Sequence, residues 1–580
     1  MKPLLRFLQV LALLGLTVVG GSSCGSSEGT VTATDGVSTD PTLSASVPCA
    51  DLTGTAWTPS VPGISSSYHD STVTLSQSTI QTSGLITGLA QAAPISREIA
   101  VTVDMNQDLG PLGSLTLMAQ VNSFPASLSG SAFAYLVSLS DGTNEYIHLA
   151  RAGTGGDCAA AGYYQCSSSV CTANTSCTIS APSAFVDRTH WEQHQTFSNS
   201  AENSPSINIF PTCNWTAGSN SYPADPSCAF NSTFFASSPS RLRYGVNYTA
   251  RYILLADSYS TLGLSYTAGL TVTVVKKTNP KTSPGGAVDV NFILVGADNV
   301  QASRTTKGKQ NLNTLAAAVV QNYSQSNMNL KIGTVRGFEW GCASGGDDVA
   351  DIVVSDIGTL FAGSGALLSS TLATQAVNVF LVNTIQNDSS GSNSNLTILG
   401  IDGAIGGPVV NGTAVSGLAV STFGDLDGYN PHCSTSVAVC PLTQQEESFF
   451  QLGDTVTHEM GHYFGLNHLS ESSGATHDLV QDTPICTQKQ SVSGSQYITL
   501  NSCRTLDTNI FSGTSSTCNA NCGGSYSPSL GQFCATATAC EFNYTMWWTS
   551  KNFNETTGAS DGSILSQQEA GIINYHPLVQ

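Results

Sequence analysis

His458, Glu459, His462 and His468 fall within eleven residues of the stretch TVTHEMGHYFGLNHLSE, in a chain of 580 residues that holds only 10 histidines. His458 and His462 are four apart, so on a helix their imidazoles stack on one face, about 6 Å apart along the axis. Two imidazoles at that spacing can grip one metal ion. Glu459, next to the first of them, can reach water at the metal without ligating it. Gly465 can adopt the left-handed conformation that ends a helix and turns the chain, which would deliver His468 as a third ligand. Three neutral nitrogens suit Zn²⁺ and leave its fourth position to water. The chemistry implied is hydrolysis, with Glu459 taking a proton from the attacking water and passing it to the departing amine.

These side chains need a helix and a layer to hold it. Val456, Met460, Tyr463 and Phe464 give the motif helix an apolar face. Upstream, VDVNFILVG reads as a buried strand and LNTLAAAVVQNYSQ has helical spacing, while NLKIGTVRGF and VNVFLVNTI return to strand patterning. Strand, helix, strand, strand and then the motif helix describe an α/β layer backed by the helix that carries the chemistry. Residues 413–422, TAVSGLAVST, are the candidate edge strand along which an extended peptide would lie.

The preceding half reads differently. REIAVTVDM, GSLTLMAQV, AFAYLVSLS, YTARYILLA and AGLTVTVV are β-branched or aromatic runs separated by Gly, Ser, Asn and Pro clusters, so residues 46–275 are expected to form a β-rich, sandwich-like domain. A cysteine-dense, loop-like insertion, GGDCAAAGYYQCSSSVCTANTSC, interrupts it. KKTNPKTSPGG, with its two prolines and two glycines, marks residues 276–287 as a linker. Residues 288–580 then make the second domain.

At the N-terminus Lys2 and Arg6 precede the apolar run FLQVLALLGLTVVG and then small residues, the order of a secretory signal peptide over residues 1–23. Residues 24–45 are small, polar and unpatterned, as in a flexible tether. Two outcomes stay open: free secretion, or a membrane tether through a lipidated Cys24. The expected location is accordingly secreted, periplasmic or cell-surface. The 17 cysteines suit an exported, disulfide-stapled chain. Setting Cys24 aside, seven precede the linker and nine follow it, so either one bridge joins the domains or each holds a free thiol. A net charge of -20, from 39 acidic against 19 basic residues, comes without a basic patch and argues against nucleic acid as a partner.

HEMGHYFGLNH matches HExxHxxGxxH and so resembles the zinc signature of the metzincin metalloproteases. HDLVQDTPIC (477–486) and CEFNYTMWW (540–548) are similar to segments of the pappalysin branch of that family. The tail SILSQQEAGIINYHP is similar to the closing helix of its domain. The resemblance covers roughly residues 288–580. It implies an α+β metzincin-type zinc protease domain with a mixed β-sheet and an active-site helix, acting on protein or peptide substrates and following the N-terminal all-β domain read from the strand patterning. It further implies Met546 as the Met-turn residue beneath the zinc, and Asp478 and Asp482 as candidate ligands of a structural Ca²⁺. The segment departs from the family's Asn-x-Met-Asp-Tyr: Thr545 is inserted and Trp547 and Trp548 follow Met546. The usual tyrosine is therefore missing, and Tyr544 and Trp548 become the candidate oxyanion donors. The competing reading is a surface adhesin or binding lipoprotein on a degenerate protease fold.

Overall fold

The structure is a computed structural model that describes residues 58–89, 92–96, 98–110, 112–122, 132–140, 145–148, 164–167, 170–173, 195–198, 206–209, 245–256, 266–281, 285–296, 306–325, 330–340, 351–368, 375–386, 397–413, 415–422, 442–466, 468, 489–490, 497–498, 545–546, 553–554, 559–560 and 565–580. The cysteines lie outside these residues apart from Cys166 and Cys171, which are described by their backbone alone.

The first part is built from β1 (Thr74–Leu89), β2 (Ala92–Ser96), β3 (Ile99–Asp104), β4 (Ser114–Asn122), β5 (Ala132–Ser140), β6 (Glu145–His148), the hairpin strands β7 (Tyr164–Ser167) and β8 (Val170–Ala173), β9 (Gln195–Ser198), β10 (Ser206–Ile209), β11 (Asn247–Ala256) and β12 (Tyr266–Thr278). The five strands expected from sequence are β3, β4, β5, β11 and β12. The cysteine-dense insertion, expected as a loop, contains the β7–β8 hairpin. Alternation is clearest in β3, where Ile99, Val101 and Val103 are buried while Thr102 and Asp104 face outward.

A sandwich implies two separately bonded sheets, and here the structure differs. Hydrogen bonding joins the strands into one antiparallel sheet in the order β6-β5-β11-β2-β1-β12-β4-β10-β9, with β3 paired to β11. The physical reason is β1. Its 16 residues pair with β12 from Thr74 to Ile86 and then reach β2, so one long strand bridges both groups. β1 is rich in Ser and Thr, and its sequence lacks the apolar alternation that marked the others. β12 also runs on through Lys276, Lys277 and Thr278, into the segment whose composition reads as linker.

The second part contains β13 (Gly286–Val295), α1 (Thr306–Gln325), β14 (Leu330–Trp340), β15 (Asp351–Val353), α2 (Ile357–Leu368), β16 (Val377–Val382), β17 (Thr384–Gln386), β18 (Thr397–Ile398), β19 (Gly400–Asp402), β20 (Leu418–Ser421), α3 (Leu442–Phe464) and α4 (Gln567–Tyr575). Its main sheet is mixed: β14, β13, β16 and β20 are parallel neighbours in that order, and β19 adds antiparallel to β20. β16 is buried along its whole length, as strands covered on both faces are.

One face packs against α1, α3 and α4 in a core that includes Phe292, Leu315, Val456, Phe464 and Ile573. The other face packs against α2, where Phe361 and Trp340 lie 5.0 and 6.0 Å from the Phe380 ring. The sequence reading did not include α2, because IGTLFAGSGALL is apolar almost all round and has no helical period to read. α1 and α3 cross closely: a Cβ on Gly453 would stand 2.5 Å from the Cβ of Ala318. At that crossing Asn322 donates to Asp454 at 2.6 Å.

The two parts share a core. Met118 and Val275 of the large sheet, and Leu112 just before β4, join the cluster built around β13, α3 and α4. Residues 58–73 lie along β13 and β14, where Ile64 bridges Ile332, and Asp289 meets His69 at 2.7 Å and Arg336 at 3.1 Å. No helix among the described residues is long and apolar enough to cross a membrane.

Candidate metal centre

α3 places His458, Glu459 and His462 in its last two turns, and the helix stops as the sequence requires. Gly465 sits at φ +108. The amide of Gly465 donates to the His462 carbonyl at 2.8 Å, and that of Leu466 donates to the Gly461 carbonyl at 2.9 Å. This pair of bonds is a Schellman cap, and it reverses the chain within two residues of the helix. His468 thereby returns to the face it left.

The three imidazoles converge. His468 Nε2 lies 3.1 Å from His458 Nε2 and 3.2 Å from His462 Nε2. All three rings are buried, and their ligand atoms lie within 4.8 Å of one another. Tautomers follow from the partners of the opposite nitrogens. His458 Nδ1 is 2.7 Å from the carbonyl oxygen of Thr545, and His462 Nδ1 is 2.7 Å from that of Leu466. A carbonyl can only accept, so both Nδ1 atoms carry the proton and both Nε2 atoms present acceptors to the centre. With His468 Nε2 also unprotonated, three acceptor nitrogens gathered this closely repel one another unless a cation lies among them. The two short separations are also close to the spacing of about 3.3 Å between nitrogens on a tetrahedral ion with bonds of about 2.0–2.1 Å. The donor set fits zinc.

Glycines hold the neighbouring surfaces close. A Cβ on Gly461 would stand 2.3 Å from Met546 Sδ, so the floor of the centre touches the helix backbone between the two helical histidines. Met546 is fully buried, and it follows the residue whose carbonyl orients His458. On the other side β19 lies against Glu459: a Cβ on Gly400 would come within 2.7 Å of Glu459 Cγ and 2.8 Å of its Oε1. Glu459 is itself fully buried.

β19 also corrects the expected edge. Residues 413–422 contain β20, which has β16 on one side and β19 on the other. The outer strand of the described sheet is Gly400–Asp402. It is three residues long and glycine-flanked, too short to show the alternation that marks a strand in sequence. Asp402, at its end, is buried, and among the described residues nothing meets either carboxyl oxygen in hydrogen-bonding geometry. Burial pushes this carboxyl up from its ordinary 3.8 to about 7; its own amide and that of Ala404 favour the anion but lie out of alignment for a bond.

A glycine-rich loop after β19 seals the end of α3. The amides of Gly406 and Gly407 donate to the carbonyls of His462 (3.0 Å) and Tyr463 (2.8 Å), and the Tyr463 hydroxyl donates to the Pro408 carbonyl at 2.6 Å. The only signal for this loop in sequence is the run GAIGGPVVNG, which reads as an ordinary turn.

The structure thus brings together His458, Glu459, His462 and His468, singled out by type and spacing, with Met546, singled out by the resemblance. Tyr544 and Trp548, the candidate oxyanion donors, and Asp478 and Asp482, the candidate calcium ligands, lie outside the described residues. The Thr545 carbonyl, Gly400 and the Gly406–Gly407 amides are parts of the site that sequence reasoning did not find.

No protein-family model matches the chain, and no curated protein matches it. Among solved structures, mirolysin in complex with compound 9 is similar over 50% of this chain and 91% of that chain, at 13% identity and a TM-score of 0.27.

Proposed function

We propose that the chain is a zinc-dependent endopeptidase of the metzincin type, and that the β-rich part preceding its metal centre is an all-β unit packed against it. One observation carries the catalytic reading: three buried histidines converge by their Nε2 atoms beside a buried glutamate, under the outer strand of a mixed sheet. His458, His462 and His468 would hold the metal. Zinc bound there supplies Lewis acidity, acidifying water and polarising a carbonyl. Glu459 accepts the proton of the attacking water and delivers it to the leaving amine. An extended peptide would lie along β19 and take its main-chain hydrogen bonds from that edge. The narrower likeness to the pappalysin branch rests on residues 477–486 and 540–548. Export rests on the apolar run after Arg6.

Cleavage of a mixed peptide library by the full-length protein, beside Glu459→Ala, tests this reading. The expected result is cleavage that is lost on chelation, restored by zinc and absent in Glu459→Ala. Zinc-loaded, folded protein that leaves every peptide intact would overturn it and favour a binding role.

A further inference from the structure

Lys277 is fully buried near the end of β12, a strand of the large sheet, yet among the described residues its Nζ bonds to carbonyls and not to a carboxylate. Its Nζ donates to the carbonyls of Asn574 at 2.6 Å and His576 at 3.1 Å, the open end of α4. Ser114, from the neighbouring strand β4, donates to the Tyr575 carbonyl between them at 2.5 Å. The large sheet therefore caps three successive carbonyls at the end of α4, the last of which, that of His576, also accepts the Val579 amide at 3.1 Å.

One of these contacts leads on to the metal centre. His576 Nδ1 accepts the Leu578 amide at 3.2 Å, so its Nε2 carries the proton and donates to the Gly407 carbonyl at 3.0 Å. The His576 ring packs against the rings of Tyr463 and Phe464, with centroids 5.8 and 5.3 Å away. Gly407 and Gly406 in turn donate to the carbonyls of Tyr463 and His462. Three polar links thus connect a lysine of the N-terminal sheet to the turn of α3 that bears a metal ligand.

We propose that Lys277 is a positioning residue for the metal centre, and that the N-terminal sheet acts through it as a permanent part of the centre's support. The inference rests on the reading of His458, His462 and His468 as zinc ligands. Lys277 holds His576, His576 holds the Gly406–Gly407 loop, and the loop fixes the last turn of α3 and the direction of the His462 ring. The donor role does not depend on charge. Desolvation, with the nearby Lys281 charge, holds Lys277 well below its ordinary value, but a neutral amine still carries two N–H groups for its two carbonyls. Ser114 serves as an internal control, because it caps the same helix end by bonding to the Tyr575 carbonyl rather than to that of His576.

The test is zinc affinity of the full-length protein, by competition with a chromophoric chelator, at a temperature where circular dichroism shows each variant folded. Lys277→Met is expected to weaken zinc about tenfold, as changes to residues supporting a ligand commonly do. Ser114→Ala should stay within about twofold of wild type, although it lowers the melting temperature. His576→Leu should weaken zinc as Lys277→Met does, and His576→Gln, whose amide can replace the Nε2 donor, should recover most of the loss. Folded Lys277→Met with wild-type affinity, or Ser114→Ala with an equal loss, would overturn the proposal. Should Lys277→Met not fold, the His576 pair decides: equal affinities for Leu and Gln overturn it. Wild-type protein that binds no zinc would overturn the metal reading itself, an outcome distinct from wild type and variants binding alike.

Discussion

His458 donates through Nδ1 to the carbonyl of Thr545, 2.7 Å away and 87 positions along the chain, and the next residue, Met546, packs its sulfur against Gly461. One short segment therefore orients a ligand and floors the site. Thr545 is itself used: its carbonyl selects the tautomer that turns Nε2 of His458 toward the other two imidazoles.

That contact makes Gly461 sensitive. Gly461→Ala would drive a methyl to within 2.3 Å of Met546 Sδ, and overpacking of this kind costs about 1–3 kcal/mol. Thermal unfolding should show a lowered midpoint. Gly461→Ala with Met546→Ala should recover part of it, and a double variant no better than the sum of the singles would show that the contact is not the cause.

Metal should stabilise the fold through the same residues. Zinc at about one hundred times its dissociation constant is expected to add about 2.7 kcal/mol to stability. Chelation should remove that increment from the wild type and change nothing in His462→Ala. Calorimetry with and without chelator measures both, and an unchanged wild-type midpoint would refute zinc binding by the folded chain.

His576 predicts acid lability. Burial, with the Lys277 charge, lowers it from its ordinary 6.5 to about 3, while the bond to Gly407 opposes the shift. The folded protein holds the ring neutral, whereas the unfolded chain takes up a proton below about pH 6.5. Its contribution is present above that pH and is lost as pH falls toward 3, by up to about 1.4 kcal/mol per pH unit. Urea unfolding from pH 7 to 4 should show His576→Gln losing less stability than the wild type over this range.

Asp402 predicts the opposite slope. Its folded value of about 7 lies above the ordinary 3.8, so the folded state binds more protons between those limits. Stability from this group falls as pH rises from about 4 and is fully lost above about 7. Asp402→Asn should gain on the wild type progressively across that window, by at most about 1.4 kcal/mol per pH unit. A difference that does not vary with pH would show that Asp402 does not titrate in the fold.

What could be read from the chain alone is what lies close along it. His458 and His462 share a face because a helix turns every 3.6 residues, and Gly465 ends that helix because glycine tolerates positive φ. The strands β3, β4, β5, β11, β12, β13, β14 and β16 are legible as β-branched, aromatic or apolar runs, and the helix α1 by its spacing. The strand β1, the helix α2 and the three-residue edge β19 carry no such signal, and only pairing or packing reveals them. The tertiary structure alone decided which carbonyl orients His458, which strand lies over Glu459, and that a buried lysine 297 positions before Asn574 caps the closing helix. Those contacts join residues brought together by topology, and no local pattern of residue types encodes a partner that far away.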